Sequence, residues 1–532
     1  MAKSITSFKR PSVLFAIFFV FSAFLCANGM YLVAAVCALV AVLAATALFF
    51  VAKNRASVFC FFLAFCLFYP IFHLSLGFRG VEKMLSDNNE TIQMRAIVED
   101  KSTNYNKTVL YVSLLPDGKN KPGTKAVVVQ NKMVQCEIYD EIEFSGTPFS
   151  FLNKNEVARF TGGFPSKEKA LSKGCCLGIN AGDLTRIGRI ESGKRNIIHN
   201  YYFYINDNLK KVFSSFGGVD TFSYAMALLT GDRSHFSQNV YDVFTRSGLI
   251  AILCISGLHV VITSAFVEFF LKKLRVPKKL QSFAILFFLV FLMTITGFRG
   301  SVMRAAIMSM CFQLSKMFGR HYDSFSVLAI SFMVVSVSNP FCIYDTSTLL
   351  SYLAMTGLIF AQTASDNYLV DTSTAFYKIK TTANASIFAQ TFAAVPVLTM
   401  FGGISLVSPL SNLAASLFFP ALMYFLVLCA FLCFLPAPLL SVLAFVPRAL
   451  IYLLDLCANV FASIPYSYAK FSLPPFSIYL FGVLFFIFLL TCAFFEKRFI
   501  VFLGFLQSDL HPFGGDITFC SFIYYLKFMC VL

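Results

Sequence analysis

The chain has 532 residues, of which 58% are hydrophobic and 13% are charged. Because a soluble protein of average composition carries about 25% charged residues, a soluble multidomain enzyme is excluded. The formal net charge of +16 suits a nucleic acid or an anionic lipid as partner, but membrane proteins also collect Lys and Arg in their cytoplasmic loops. The charge by itself therefore does not identify a partner.

Three apolar runs at the N-terminus each approach the length of a membrane-spanning helix, which needs about 20 residues. They are Pro11–Asn28, Met30–Ala52 and Ser57–Leu76. The first run has no convincing cleavage site behind it, so we interpret it as a retained helix rather than a signal peptide. Lys53 and Arg55 place the intervening loop in the cytoplasm by the positive-inside rule. Residues 1–76 are therefore predicted to cross the membrane three times and to emerge outside.

Residues 77–200 have the composition of a soluble domain. Alternating or β-branched segments occur at Thr91–Val98, Val109–Leu115, Ala126–Val129 and Glu137–Phe144. Turn signals separate them, which predicts a small antiparallel β-barrel or sandwich, and residues 139–146 favour an OB-like barrel. An extracytoplasmic location allows a disulfide between Cys136 and either Cys175 or Cys176. The sequence leaves open whether this bond forms or the thiols are free.

From residue 201 to about residue 495 the apolar runs return and predict about ten further helices. The densest basic loop contains Lys272, Lys273, Arg275, Lys278 and Lys279, and we place it in the cytoplasm. The predicted fold class is a polytopic α-helical protein of the cytoplasmic (inner) membrane, with an inserted OB-like β-barrel outside the cytoplasm. Residues 496–532 form a tail whose structure the sequence does not indicate.

One polar stretch interrupts the apolar run Gly248–Leu271, near whose centre His259 lies. Titratable groups at bilayer depth are costly, so each is a functional candidate. Ser256-Gly257 weakens a helix and favours a break or a close backbone approach. Broken helices with polar groups at mid-membrane are frequent in transport pathways. The alternative interpretation is a histidine that hydrogen-bonds to a neighbouring carbonyl within a helix bundle.

Two further clusters carry charge. Asp232 and Arg233 follow an apolar run, where a helix cap or an ion pair at the interface is the simpler interpretation. Ser301 is predicted to cap a helix whose first turn holds Arg304. An arginine there faces the positive end of the helix dipole and needs an anion, such as a phosphate, a carboxylate or a lipid headgroup. Arg299 is more simply interpreted as reaching the membrane interface.

These motifs together are familiar. Leu229–Arg233, Ser247–Leu249 and Ile255–Val260 resemble the central motifs of the ComEC family, bacterial inner-membrane proteins that admit transforming DNA. The likeness covers residues 200–495 and departs from the family pattern at Ile252 and Cys254. It implies an external OB-like domain that grips DNA, followed by a polytopic channel through which one strand passes.

The resemblance also has a limit. Full-length family members often end in a metallo-β-lactamase-like nuclease domain, which needs an HxHxDH metal cluster. The six histidines here, His73, His199, His235, His259, His321 and His511, are scattered along the chain. We therefore predict no metal site, no catalytic residue and no cofactor, and hence no enzyme activity. A separate nuclease is then implied as a partner.

The predicted function is a membrane channel for uptake of single-stranded DNA. Basic groups must neutralise the phosphates and aromatic faces can stack on the bases. The residues expected along the DNA path are Asp232, Arg233, Ser256, Gly257, His259, Arg299 and Arg304. The sequence has no GxxxxGK[ST] loop, so a cytoplasmic ATP-driven motor is an implied partner, together with a competence DNA receptor and membrane lipids. The alternatives are a small-molecule or lipid transporter using the same bundle, and a membrane-anchored binding module, which the many further helices disfavour.

Overall fold

A computed structural model of the chain describes most of its predicted elements. The described ranges are 11–27, 35–40, 65–73, 92–104, 107–115, 124–130, 139–151, 167–189, 197–214, 219–231, 236–253, 256–298, 300–368, 375–431 and 444–471, with isolated positions between them. Contacts divide the chain into two compact units. The barrel unit is Met1–Tyr201 with Phe332–Leu349, and the helical unit is Tyr202–Ser331 with Leu350–Leu532.

The barrel unit is built on five strands. They are β1 (Ile92–Asn104), β2 (Lys107–Leu114), β3 (Lys125–Gln130), β4 (Asp140–Ser150) and β5 (Leu177–Arg189), with the short helix α2 (Lys167–Ser172) before β5. They close into a barrel in the order β1-β2-β3-β5-β4, and β1 pairs with β4. The β3–β5 pair is parallel and the other four are antiparallel. The predicted OB-like barrel is confirmed.

The strands are buried on more than one face. Side chains of alternate residues point to opposite faces of a strand, so Ala126 and Val128 of β3 enter the barrel core while Val127 and Val129 point outward. The outward pair is nevertheless fully buried, because it packs with Val109 and Tyr111 of β2 beneath Phe149, Phe151, Ala170 and Cys175. The outer surface of β2 and β3 is thus covered by the chain itself.

The barrel core also recruits residues distant in sequence. The helix α1 (Pro11–Ala27), which confirms the first predicted apolar helix, contributes Leu25 and Cys26. Phe341, which is 2% exposed, packs into the same core. The second predicted helix, Met30–Ala52, lies largely outside the described residues, and of the third only residues 65–73 and Ser75 are described, in helical conformation.

The helical unit is reached through an amphipathic helix and contains most of the remaining elements. In chain order the helices are α3 (Ile197–Ser214), α4 (Val219–Thr230), α5 (Gln238–Ser247), α6 (Ile250–Leu253), α7 (Gly257–Lys273), α8 (Lys278–Ile295), α9 (Gly300–Phe318), α10 (Ser324–Ser338), α11 (Thr346–Tyr368), α12 (Ala375–Phe401), α13 (Ser408–Ser416), α14 (Phe419–Phe431) and α15 (Phe445–Ser463). Two short strands, β6 (Ile404–Ser405) and β7 (Tyr468–Ala469), pair antiparallel. The parts of α3, α10 and α11 that fall in residues 197–201 and 332–349 belong to the barrel unit.

Three described helices are long and apolar enough to cross a membrane. They are Lys278–Ile295, Asn384–Phe401 and Phe445–Ser463, and a fourth span results if the pair α13 and α14, bent by 51°, is counted as one. The predicted polytopic membrane class is confirmed. The predicted apolar run 476–495 and the tail 496–532 lie outside the described residues.

Candidate functional site

The apolar run that contains His259 is a broken helix. Helix α5 ends at Gly248, which adopts a left-handed conformation with φ of 77°. A single turn, α6, follows, and α7 begins only at Gly257. The break predicted from Ser256-Gly257 is confirmed. Consequently His259 lies in the first turn of α7 rather than in the middle of a continuous helix.

His259 closes this break by capping its own helix. Ser256 has an extended backbone, and its N–H donates to Nδ1 of His259 at 3.2 Å, while its Oγ lies 3.1 Å from the same nitrogen. The histidine occupies the position that Glu or Gln holds in a capping box. Because Nδ1 accepts a hydrogen bond, the neutral ring carries its proton on Nε2. That atom is buried.

A second helix break lies beside the first. Helices α13 and α14 meet at a 51° bend, and Phe419, the first residue of α14, is 1% exposed. Its ring packs edge-on against the imidazole of His259, with 5.3 Å between the centroids. Irregular backbone at membrane depth is tolerated only where it is buried in protein or lines an aqueous cavity. The apposition of two breaks therefore makes this region the candidate site.

The two broken segments also approach where α5 ends. A Cβ built on Gly248 would lie 2.1 Å from Cβ of Ser408, so only glycine fits. Serines of the second segment satisfy the last carbonyls of α5: Ser405 Oγ donates to the carbonyl of Arg246 at 2.8 Å and Ser411 Oγ to that of Ser247 at 2.6 Å. Exposed carbonyls at a helix end need such partners. These hydrogen bonds tie one broken segment to the other.

Arg304 supplies the charge of the site. Its side chain is 6% exposed and lies against the start of α7, since a Cβ on Gly257 would be 2.8 Å from Nη2 of Arg304. Nε donates to Ser351 Oγ at 2.9 Å, and the guanidinium carbon lies 5.8 Å from the ring of Tyr352. Within the described part of the chain, no carboxylate forms an ion pair with this guanidinium. A buried cation therefore faces the positive end of a helix with only neutral partners.

One detail of the predicted surroundings of Arg304 is wrong. Helix α9 begins at Gly300, so Ser301 lies inside the helix and does not act as its N-cap. The three remaining candidates of the predicted DNA path, Asp232, Arg233 and Arg299, lie outside the described residues. Ser256, Gly257, His259 and Arg304 are brought together, and their part in a DNA path stays a prediction.

The residues of both helix breaks lie within a stretch that matches a known protein family. The profile of the Competence protein family matches residues 228–496, just over half of the chain. The chain belongs to the competence protein family. A stretch of 183 residues is 27% identical to ComE operon protein 3 of Bacillus subtilis (strain 168), covering 34% of this chain and 22% of that protein. The aligned part thus spans about a fifth of the relative, and no solved structure matches the chain.

The competence family match covers both helix breaks and Arg304, and it begins at Leu228. Sequence reasoning missed three residues within it, Ser405, Ser408 and Ser411. Their signal is the three-residue spacing of small polar residues in front of an apolar run. Gln390, a polar residue within an apolar run, proves to accept from Ser408 Oγ at 2.6 Å.

The competence family match also covers a loop that belongs to the barrel unit. Asn339 Nδ2 donates to the carbonyls of Leu171 and Ser172 at 2.9 and 2.8 Å, which satisfies the end of α2. Asp345 accepts from the N–H of Thr348 at 3.1 Å and so caps the start of α11. Asp345 also forms an ion pair with Lys173 at 3.5 Å.

Lys173 joins two carboxylates in this loop contact, because it also pairs with Asp100 at 3.1 Å. Burial lowers the pKa of Lys173, but the carboxylates of Asp100 and Asp345 raise it by more, so its pKa lies above the ordinary lysine value. The ion cluster therefore holds the loop to the barrel with a lysine that stays charged at neutral pH.

Cys175 and Cys176 are free thiols, so neither forms the disulfide with Cys136 that the sequence allowed. Cys175 and Cys176 are consecutive residues of an extended segment and point in opposite directions. Cys175 packs on the outer surface of β2 and β3, whereas Cys176 shares the barrel core with Cys136. Burial raises the pKa of Cys175, and raises that of Cys176 to about 11.

Proposed function

We propose that this protein admits single-stranded DNA through the cytoplasmic membrane, with its barrel on the outer side. Membership of the competence family supports a role in DNA uptake, as does the likeness to ComE operon protein 3. The observation that carries the finer proposal is Arg304, a buried guanidinium at the start of α7 whose described partners are all neutral.

A DNA phosphate would supply the negative charge that the buried Arg304 guanidinium lacks among its described partners. A buried arginine with no carboxylate partner is costly at membrane depth. A helix N-terminus favours an anion as well, so Gly257 and Arg304 would act on the same phosphate. Because Gly257 has no side chain, Nη2 of Arg304 can lie directly against the start of α7.

The barrel has a different part in this proposal. In OB folds the face of strands 2 and 3 is a frequent site for oligonucleotides. Here the outward side chains of that face, including Val127 and Tyr111, are buried under Phe149 and Phe151. We therefore assign the main phosphate contact to the helical unit. A separate competence DNA receptor would present the DNA.

The remaining activities of DNA uptake are assigned to other proteins. The histidines are too scattered for an HxHxDH cluster, so strand degradation is proposed to come from a separate nuclease, and this chain is proposed not to act as an enzyme. Energy from ATP would come from a separate cytoplasmic motor, since the sequence has no phosphate-binding loop of the P-loop kind.

The test measures entry of labelled single-stranded DNA into vesicles that contain the purified full chain. Arg304→Met keeps the length of the side chain and removes its charge. A charge-assisted hydrogen bond contributes about 1.5–3 kcal/mol, so import should fall about tenfold to hundredfold. Arg320→Met is the matched control, because the exposed Arg320 follows the end of the same helix. Equal import by both variants at equal protein level would exclude the phosphate contact. A channel passes DNA down its concentration gradient without a motor, so a wild type that imports no more DNA than protein-free vesicles would exclude the function.

A further inference from the structure

A carboxylate lies inside one of the three described membrane spans. Asp455 stands eight residues from the end of α15 (Phe445–Ser463), close to the middle of that span. Ionisable residues at this depth are rare, and they mark ion pathways and proton relays. The sequence argument did not single out this residue, because one carboxylate within a long apolar run does not disturb its overall pattern.

The hydrogen bonds of Asp455 come from neutral groups. Tyr224 of α4 donates its hydroxyl to Oδ1 at 2.9 Å. Asn459, one turn further along α15, donates its Nδ2 to Oδ2 at 3.0 Å and to the Asp455 carbonyl at 2.9 Å. The two acceptors fix the orientation of this amide, with its NH₂ group toward the carboxylate.

The charged and titratable groups around α15 leave this carboxylate without a cation. On the helices that pack against α15, and on α15 itself, the groups whose side chains the structure describes are Tyr224 of α4, Tyr241, Asp242 and Arg246 of α5, Tyr424 and Cys429 of α14, and Arg448, Tyr452 and Cys457 of α15. In the part of the chain that the structure describes, Asp455 forms an ion pair with none of them, and Tyr224 is its one titratable hydrogen-bond partner. An ionised form would thus be stabilised by two neutral donors only.

We propose that Asp455 is a proton-binding site that couples the membrane proton gradient to the import described above, so this inference rests on the proposed function. The geometry selects a proton rather than a metal cation, because each carboxylate oxygen already faces a hydrogen-bond donor. A sodium ion needs several oxygen ligands that point toward it, and the NH₂ group of Asn459 would repel it.

The geometry also selects which oxygen takes the proton. The NH₂ group of Asn459 can only donate, so a proton on Oδ2 would face another donor. The Tyr224 hydroxyl can donate or accept, so the proton binds at Oδ1 and the hydroxyl changes from donor to acceptor. Tyr224 packs edge-on against Phe236 at 5.0 Å and contacts Phe244 of α5 at 5.9 Å. Tyr224 thereby connects Asp455 to the helix that ends at the first break.

The experiment uses the full chain in vesicles and measures DNA import together with vesicle pH, with and without an inward proton gradient. A gradient of one pH unit can change the equilibrium ratio of imported to external DNA by at most about tenfold for each proton that crosses with it. The wild type should import faster with the gradient, and Asp455→Asn, which keeps the size of the side chain, should lose this acceleration and retain gradient-independent import. Glu268→Gln is the control, since Glu268 is already paired with Lys272 and Lys316; it should respond as the wild type does.

Three results would overturn the inference. They are a wild type that imports DNA at a rate independent of the proton gradient, an Asp455→Asn variant with the wild-type response, and acceleration by a sodium gradient at constant pH. In each of these the proposed function survives, whereas a wild type that imports no DNA removes both. Should Asp455→Asn fail to fold, Asp455→Glu replaces it: this variant retains a titratable group and must retain the acceleration.

Discussion

The contact between Gly248 and Ser408 can be tested directly by a pair of glycine substitutions. In Gly248→Ala the new methyl group would meet Cβ of Ser408 at 2.1 Å and its Cα at 2.8 Å. The same residue has φ of 77°, which an alanine adopts only with strain. The matched control is Gly297→Ala, because Gly297 has φ of 67° and nothing lies within 4 Å of its added Cβ.

Both variants strain the backbone, but only Gly248→Ala also overpacks its site. The left-handed conformation costs an L-residue about 1–2 kcal/mol, and this applies to both. Overpacking of a filled site costs about 1–3 kcal/mol, and this applies to Gly248→Ala alone, where the clash includes a backbone atom that cannot turn away. We therefore expect Gly248→Ala to be less stable than Gly297→Ala by about 1–3 kcal/mol.

Thermal unfolding of the detergent-solubilised full chain, followed by circular dichroism, measures this difference. Tryptophan fluorescence is not usable, since the chain has no Trp. Equal midpoints for the two variants would refute the close approach of the two broken segments. They would also remove the basis for treating the breaks as one site.

Three further predictions concern the barrel unit. Phe341→Ala should lower the free energy of unfolding by about 3–5 kcal/mol, because Phe341 is buried in the barrel core. Its melting midpoint should fall accordingly. The control Phe287→Ala should keep the wild-type midpoint, because Phe287 is 75% exposed. Cys176, with a pKa of about 11, should be a thiolate in only about one molecule in a thousand at about pH 8, so its alkylation in the folded protein should be slow and should become fast on denaturation. The pKa of Lys173 is raised in the folded state. Its ion cluster therefore stabilises the unit fully below the ordinary lysine pKa of about 10.4, and this stabilisation is lost as pH rises through the raised pKa. In Asp345→Asn the melting midpoint should fall less over the same rise in pH.

The elements that sequence predicts well are those with a strong local pattern. Alternation and turn residues predict the barrel, because β1 to β5 bury one face in a common core. Ser256-Gly257 predicts the break before α7, because a capping residue followed by glycine is a local signal for a helix start. The apolar runs likewise predict the membrane class, since composition alone makes a soluble fold unstable.

What sequence reasoning missed depends on contacts between distant segments. Pro420 has no N–H to continue a helix, which accounts for the bend between α13 and α14. The packing of Phe419 against His259, 160 positions away, has no local pattern in the sequence. Ser301 was expected to be a cap, but the helix already begins at Gly300. The recruitment of Phe341 and Asn339 to the barrel joins residues more than 160 positions from their partners, for which no local pattern exists.

The two ionisable residues of the helical unit differ in a way that suits two different ligands. Arg304 is 6% exposed and lies at a helix N-terminus, where its charge and the helix dipole add; both are relieved by the same kind of anion. Asp455 is only half-buried and is hydrogen-bonded by two donors that can stay in place when its charge is removed. A group that can lose its charge by taking a proton has no need of a permanent counterion, whereas an arginine does not lose its proton in proteins. The cation at the break is therefore suited to holding a permanent polyanion, and the carboxylate in α15 to exchanging a proton.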